Sequence, residues 1–250
     1  MRHGAARNEL SGVGEIMKTH RVPLSDVLSA GIREPRISNV PWLNVDFRAR
    51  SSKHLKERRG CGLYGIFFNP PGKESDDQLI YLGKYLGLKD DPFDGDVVKN
   101  RWWAHVATIS FRGRRNSIAP ATLKSLLDSA YLPEQLYNGL AGADALIHKD
   151  RGCGAGLNRV RFAISHWDFF KDASPEEILR AFSAVYIQVE PEDFVTSLDQ
   201  IRDSVSEAEK AQINELGPVC NAGPAGLAVQ KAVDRESFAR AAIAALREKL

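Results

Sequence analysis

Two short apolar segments constrain the fold of this chain more than any other feature. Residues 62–68 (GLYGIFF) and 78–86 (QLIYLGKYL) are rich in aromatic and branched side chains, and a polar stretch that begins with NPPG separates them. Runs of this length and composition on either side of turn-forming residues are typical of paired strands. We therefore predict that the two segments form a β-hairpin.

A helix is predicted after this hairpin. Val98, Trp102 and Val106 recur at helical spacing, which predicts that their side chains face the core. The same spacing places Arg101 and His105 one turn apart on a neighbouring face, where both side chains can reach one ligand.

The remaining patterns predict a mixture of helices and strands. Ser174 before Pro175 is a typical helix start, and Gly217 with Pro218 closes a polar helix. Residues 160–165 alternate between apolar and polar side chains, as a half-buried strand does. The other predicted elements are helices at 23–30, 121–130, 203–216 and 235–250 and a buried strand at 182–189. These elements predict an α+β protein.

The composition is typical of a globular protein. Apolar residues make up 43% and charged residues 26% of the 250 positions, and no run of about 18 apolar residues suggests a membrane span. The first ten residues lack the apolar stretch of a signal peptide, so we expect a cytoplasmic protein. Cys61, Cys153 and Cys220 lack CxxC spacing, which predicts reduced, packed thiols.

Basic residues are concentrated in two segments, although the net charge is only +2. Residues 47–60 contain six Arg or Lys and one Glu, and residues 101–115 contain four Arg and no acid. Such runs are either solvated surface or phosphate-binding surface, and their position on both sides of the hairpin and helix favours DNA. The candidate DNA contacts are Arg48, Arg50, Lys53, Lys56, Arg58, Arg59, Arg112, Arg114 and Arg115.

The two hairpin segments each carry a tyrosine in a tripeptide with glycine. Gly62-Leu63-Tyr64 and Tyr81-Leu82-Gly83 resemble the two signature tripeptides of the GIY-YIG nuclease superfamily, with Leu where Ile is usual. The exchange nearly conserves side-chain volume, which a buried strand position tolerates. The resemblance implies a small antiparallel sheet flanked by helices.

Residues downstream extend the resemblance. Some restriction enzymes of the superfamily carry an Arg and a His four residues apart on the helix after the hairpin, as Arg101 and His105 are here. The family also has a helical Glu followed, past a Pro-containing loop, by an Asn, and Glu209 precedes Asn221 by twelve residues in this way. Glu207 and Glu215 are rival acids for the same role.

The resemblance assigns the acidic and basic residues to phosphodiester hydrolysis, which needs a positioned water and neutralised charge in the transition state. Glu209 is expected to hold Mg²⁺ or Mn²⁺, and Arg101 offers a planar fork to the phosphate. His105 is expected to orient the phosphate or the attacking water. Asn221 is expected to fix the carboxylate or the helix end.

The general base is expected to be a tyrosine, whose usual pKa of about 10 must then be lowered by nearby cations. Lys84, directly after Tyr81-Leu82-Gly83, stands where the family often has a lysine and is a candidate for this effect. We assign Tyr64 as base and Tyr81 to bind phosphate or water, and the reverse assignment stays open.

The expected organisation is a GIY-YIG core with additions. Residues 1–60 are predicted to be a helical, basic arm, residues 61–221 the catalytic core with a large insertion at about 109–180, and residues 222–250 a C-terminal helix. The expected activity is sequence-specific cleavage of double-stranded DNA, as in type II restriction enzymes, by a homodimer or higher oligomer. Structure-specific, single-strand, homing or repair nucleases and an inactive DNA-binding module are the alternatives.

Overall fold

A computed structural model describes residues 17–36, 40–50, 58–71, 78–118, 120–128, 133–140, 153–191, 197–221 and 232–250. In chain order they form β1 (Met17–Pro23), α1 (Leu24–Val27), β2 (Leu28–Ile32), β3 (Val45–Ala49), β4 (Cys61–Phe68), β5 (Gln78–Leu86), a π-helical turn (Val98–Trp102), α2 (Trp103–Ile109), β6 (Asn116–Ile118), α3 (Pro120–Leu127), α4 (Glu134–Leu140), β7 (Cys153–Ala155), α5 (Leu157–Ser165), α6 (Trp167–Phe170), α7 (Pro175–Arg180), β8 (Phe182–Val189), α8 (Leu198–Leu216) and α9 (Arg235–Lys249).

The main sheet has four strands in the order β1-β8-β4-β5, and all neighbours are antiparallel. The predicted hairpin is confirmed as β4 and β5, with Tyr64 opposite Gly83. The predicted strand at 182–189 is confirmed as β8, which lies between β1 and β4. Among the described strands, β5 is at an edge of the sheet, so one side of its backbone is open to other groups.

Helices cover both faces of this sheet. On the first face, Tyr64 and Phe68 pack with Trp102 and with Phe170 of α6 in a large apolar core. On the second face, α8 and α9 cover a smaller core, in which Phe67 of β4 packs against the ring of Phe238. The predicted α+β class, a small antiparallel sheet flanked by helices, is confirmed. No helix in the described ranges is long and apolar enough to cross a membrane.

The N-terminal region differs from its prediction as a helical arm. Met17–Pro23 is a strand of the main sheet, and Met17 pairs with Val189 of β8. The helix predicted at 23–30 is a single turn, Leu24–Val27, followed by β2, which pairs with β3. A short apolar run fits a helix or a strand equally well, and here pairing with partner strands decides. Residues 1–16 and 51–57 lie outside the described residues.

The strand predicted at 160–165 is wrong, because these residues belong to helix α5. The helix begins after Gly156, whose backbone is extended, and buries Val160 and Ala163 one turn apart. An alternating run of six residues is too short to exclude a helix.

Most predicted helices are confirmed. Residues 98–109 are helical and begin with a π-helical turn, and α3 and α9 match their predictions closely. Ser174 forms a capping box with Glu177 at the start of α7. Helix α8 begins at Leu198, earlier than predicted, and ends at Gly217, whose φ of 58° suits a residue without a side chain.

Candidate active site

Three aromatic side chains meet on the first face of the sheet, next to its β5 edge. The ring centroids of Tyr64 on β4 and Tyr81 on β5 are 6.2 Å apart. The imidazole of His105 on α2 lies 5.7 Å from the Tyr64 ring and 4.5 Å from the Tyr81 ring. The hairpin and the helix after it thus bring together three residues that the sequence identified.

The glycines of the two tripeptides are needed for close packing. A Cβ atom at Gly83 would lie 2.7 Å from the Tyr64 hydroxyl and 2.9 Å from the Tyr81 ring. A Cβ atom at Gly62 would lie 2.1 Å from the carbonyl oxygen of Ile187 on β8. Gly83 therefore allows both tyrosine rings to lie against β5, and Gly62 allows β8 to pair closely with β4.

A buried hydrogen bond joins Tyr64 to His105, with 2.7 Å between the tyrosine Oη and the imidazole Nε2. The other ring nitrogen, Nδ1, is buried and has no partner among the described residues. Because an unpaired acceptor costs less than an unpaired N–H, we place the ring proton on Nε2, which then donates to Tyr64. The hydroxyl proton of Tyr64 is thereby free to point elsewhere.

The two tyrosines differ in their exposure and in their surroundings. Burial raises the pKa of Tyr64 well above its usual value, the Tyr81 hydroxyl raises it further, and Arg101 and Arg159 lower it in part. Burial also raises the pKa of Tyr81 above its usual value, although the side chain is only half-buried, and Arg159, Arg101 and hydrogen bonding from Tyr64 offset this in part. The lowered pKa expected of a tyrosine base is therefore found for neither tyrosine in the protein alone. Tyr81 is therefore the tyrosine that solvent reaches and the one with more groups that favour its ionised form.

His105 is held in its neutral form. Burial lowers the pKa of its imidazole well below the usual value, and the nearby Arg159 and Arg101 lower it further. The ring can therefore donate one hydrogen bond at neutral pH without carrying a charge.

Arg101 lies where the sequence predicted, on the π-helical turn before α2. Its side chain is exposed, and it makes no hydrogen bond or ion pair with any described residue. Its charge still affects the pKa of Tyr64, Tyr81 and His105, so the guanidinium lies within electrostatic range of all three rings. An unpaired guanidinium at this place is available to an anionic ligand.

Glu209 lies beside the second face of the sheet and forms an ion pair with Lys84 of β5, with 2.9 Å between Oε2 and Nζ. Its charge also raises the pKa of Tyr64 and Tyr81, so the carboxylate is within electrostatic range of the rings around the sheet edge. The rival acids Glu207 and Glu215 are exposed on other sides of α8. The cations that lower the pKa of Tyr64 are Arg101 and Arg159, whereas Lys84 is engaged by Glu209.

Asn221 holds the edge strand. Its side-chain oxygen accepts from the Leu82 N–H at 2.9 Å, and its side-chain nitrogen donates to the Leu82 carbonyl at 2.7 Å. The preceding Cys220 N–H donates to the Ile80 carbonyl at 2.8 Å. The Asn221 amide thus pairs with both backbone groups of Leu82, the residue after Tyr81, as a neighbouring strand would. It fixes β5 rather than the Glu209 carboxylate or the end of α8.

Arg159 was not identified from the sequence, because the segment around it was predicted to be a strand. In the structure it lies on α5, and its guanidinium carbon is 4.7 Å from the centre of the Tyr81 ring. Its Nη1 donates to the Thr108 hydroxyl at 2.9 Å. Asn158 donates to the carbonyl of Asn221 at 2.6 Å. Leu157, Val160 and Ile164 recur at helical spacing, which was the available signal for this helix.

The predicted DNA contacts lie in different environments. Arg112 is buried and donates to the carbonyls of Trp42, Phe170, Lys171 and Ala173. Its guanidinium therefore joins chain segments, and the prediction that it contacts DNA is corrected. The remaining predictions stay open. Arg48, Arg50, Arg59 and Arg115 are exposed and Arg58 and Arg114 partly exposed, whereas Lys53 and Lys56 lie outside the described residues.

The donor set for a metal is small. Within the described ranges, no group of three or more His, Cys, Asp or Glu side chains is arranged to hold a metal ion. Glu209 offers one carboxylate oxygen that has no protein partner in the described part of the chain. Such a set fits Mg²⁺, which keeps several waters and is often held by one or two carboxylates together with substrate phosphates.

Comparison with known protein families, with curated proteins and with solved structures found no match for this chain.

Proposed function

We propose that this protein is a metal-dependent DNA endonuclease with a GIY-YIG-type centre. One observation carries the proposal: side chains chosen from sequence motifs alone converge around the edge strand β5. Tyr64, Tyr81 and His105 are in mutual contact, and Arg101 and Glu209 are within electrostatic range of them. Such convergence of residues far apart in the chain is expected of a catalytic centre.

The charges at this centre suit a phosphodiester substrate. Arg101 presents an unpaired guanidinium, which can bind two phosphate oxygens at once. On the other side of β5, Glu209 would hold a magnesium ion through its free oxygen. When bound, such an ion neutralises charge on a non-bridging phosphate oxygen and acidifies a bound water. Lys84 then adds a positive charge beside the carboxylate.

The two tyrosines take different tasks in this proposal. Tyr64 is buried and linked to His105, so it serves as a hydrogen-bond donor to Tyr81. Tyr81 reaches solvent and binds the attacking water, and its ionised form accepts the proton of that water. This is the reverse of the assignment that the family resemblance suggests, and the exposed fraction of the two side chains favours it.

The preferred substrate is double-stranded DNA cut at a specific sequence, with two copies of the chain cutting the two strands. Structure-specific, single-strand, homing and repair cleavage use the same chemistry on other DNA forms. The buried Tyr64–His105 pair argues against a DNA-binding module without activity. Burying two polar side chains costs free energy, and a buried pair adds no contact with DNA in return.

The test is incubation of the purified protein with bacteriophage DNA, single-stranded DNA and a branched junction, each with Mg²⁺ and with chelator. Discrete fragments from duplex DNA only with Mg²⁺ are expected. Cutting of single strands or junctions alone would overturn the duplex preference but keep the nuclease. Retarded bands in a gel without any cutting would favour the binding module.

A further inference from the structure

Arg159 is the charged residue of the centre that the proposed mechanism does not yet use. It comes from α5, in the segment between the hairpin region and β8. Its guanidinium lies over the Tyr81 ring, with 4.7 Å from Cζ to the ring centre. Thr108, on the same helix as His105, accepts a hydrogen bond from Nη1 at 2.9 Å. The ring and the hydroxyl together fix the plane of the guanidinium.

The positive charge of Arg159 is not neutralised by any residue that the structure describes. No carboxylate in the described ranges pairs with it, and its Nε and Nη2 have no described hydrogen-bond partner. The side chain is partly buried, and its charge is felt by Tyr64, Tyr81 and His105. A partly buried cation without a counter-ion is costly unless a ligand supplies the negative charge.

Arg101, which is exposed on the π-helical turn before α2, also has no counter-ion among the described residues. Two guanidinium groups that have no counter-ion in the described part of the chain therefore act on one pair of tyrosines. Arginines provide planar N–H donors that match phosphate oxygens, and a pre-oriented guanidinium loses less freedom when it binds. The arrangement thus fits an anion with several oxygen atoms beside Tyr81.

We propose that Arg159 is a second phosphate-binding arginine of this centre, contributed by α5 and held ready by Tyr81 and Thr108. The inference rests on the proposed nuclease function and deepens it. Arg159 meets the DNA backbone through its free N–H groups and at the same time holds the Tyr81 ring in place. Helix α5, which lies within the predicted insertion at 109–180, therefore contributes a residue to the catalytic centre.

The test compares Arg159→Ala and Arg159→Lys with the matched control Arg161→Ala, which removes an exposed arginine from the same helix. We expect Arg159→Ala to lower the cleavage rate by about 100-fold, as loss of one oriented phosphate donor does. Arg159→Lys keeps the charge but not the planar donors, so we expect at least about a tenfold loss. Arg161→Ala is expected to cleave like the unmodified protein.

A binding measurement separates phosphate contact from a structural role. Affinity for a mixed-sequence duplex is measured without metal at several salt concentrations. Loss of one phosphate contact lowers the slope of log affinity against log salt by about 0.9. We expect this change for Arg159→Ala, a retained slope for Arg159→Lys, and no change for Arg161→Ala.

A milder variant guards against misfolding of Arg159→Ala. Thr108→Val leaves the arginine in place but removes the acceptor for Nη1, and we expect a cleavage rate about three- to tenfold lower with an unchanged salt slope. If Arg159→Ala and Arg161→Ala cleave and bind alike, the inference about Arg159 is overturned while the nuclease proposal stands. If the unmodified protein neither cuts nor binds DNA, both are overturned.

Discussion

The imidazole of His105 is buried against the rings of Tyr64 and Tyr81, within electrostatic range of Arg159 and Arg101. Burial, and then the charges of Arg159 and Arg101, lower its pKa in the folded protein. The unfolded chain therefore takes up a proton at about pH 6.5, before the folded protein does. The stability that depends on the neutral ring is fully present above pH 6.5 and is lost as the pH falls below it.

The prediction at this residue concerns acid sensitivity. His105→Gln keeps a hydrogen-bonding group near Tyr64 but removes the titrating ring. Between pH 6.5 and 5.5 the unmodified protein should lose up to about 1 kcal/mol more of its unfolding free energy than the variant. Urea unfolding across this pH range measures the difference. Equal losses in the two proteins would show that His105 titrates normally in the folded state.

The glycine of the second tripeptide gives a second prediction. A methyl group at Gly83 would meet the Tyr64 hydroxyl at 2.7 Å, so Gly83→Ala must displace the tyrosine rings. We expect at least about a 100-fold loss of cleavage, since small displacements of catalytic groups cost this much. Gly31→Ala is the control, because nothing lies within 4 Å of its added methyl group. Similar cleavage rates for the two variants would mean that the positions of the tyrosine rings do not matter for cleavage.

At the scale of elements, the sequence predicted the helices and strands whose structure depends on neighbouring residues. The strands β4 and β5 match the predicted hairpin, and α8 ends at Gly217 as predicted, although it begins five residues before its predicted start. Helix α5 was predicted to be a strand, because six residues that alternate between apolar and polar side chains fit the spacing of a strand as well as that of a helix. The strand β1 was missed because its structure depends on pairing with β8, which is more than 150 residues away.

The same distinction applies to the candidate site. Tyr64, Tyr81, Arg101 and His105 lie within one hairpin and the next helix, so motifs and helical spacing were enough to group them. Arg159 belongs to the site only because α5 packs against α2. No motif in the sequence marks that contact, and only the tertiary structure reveals it.

Asn221 gives a prediction at the scale of one strand. Asn221→Ala removes both hydrogen bonds that hold Leu82 on the outer side of β5. Amide exchange at residues 78–86 should then be faster by about tenfold or more, since each lost bond contributes about 1 kcal/mol. Asn214→Ala, at an exposed position on α8, is the control. Unchanged exchange in Asn221→Ala would mean that the other contacts of β5 hold it without the Asn221 side chain.

At the scale of the whole molecule, the described residues 17–36 and 40–50 are part of the main fold. Strand β1 completes the main sheet, and the β2–β3 hairpin packs in the same apolar core as Tyr64. Arg112 ties this region to the residues after α6, because its guanidinium donates to the Trp42 and Ala173 carbonyls and to the Asn44 side chain.

Arg112 should therefore matter for stability rather than for DNA binding. Arg112→Met leaves several buried carbonyl oxygens without a donor, and we expect a loss of about 2–4 kcal/mol of unfolding free energy. For a chain of this size that lowers Tm by roughly 5–15 °C. Arg36→Met, at an exposed position, is the control. A variant with unchanged Tm and weakened DNA binding would restore the original prediction for Arg112.

The central claim is that the edge of the sheet at β5 forms a metal-dependent nuclease centre, and Glu209 tests it most directly. Glu209→Gln removes the negative charge beside Lys84 but keeps the shape of the side chain, and Glu207→Gln makes the same change at an exposed position two residues away. Both variants and the unmodified protein are incubated with duplex DNA at increasing Mg²⁺. We predict that Glu209→Gln binds DNA but cuts it at least about 1,000-fold more slowly, while Glu207→Gln cuts normally. Normal cutting by Glu209→Gln would contradict the account.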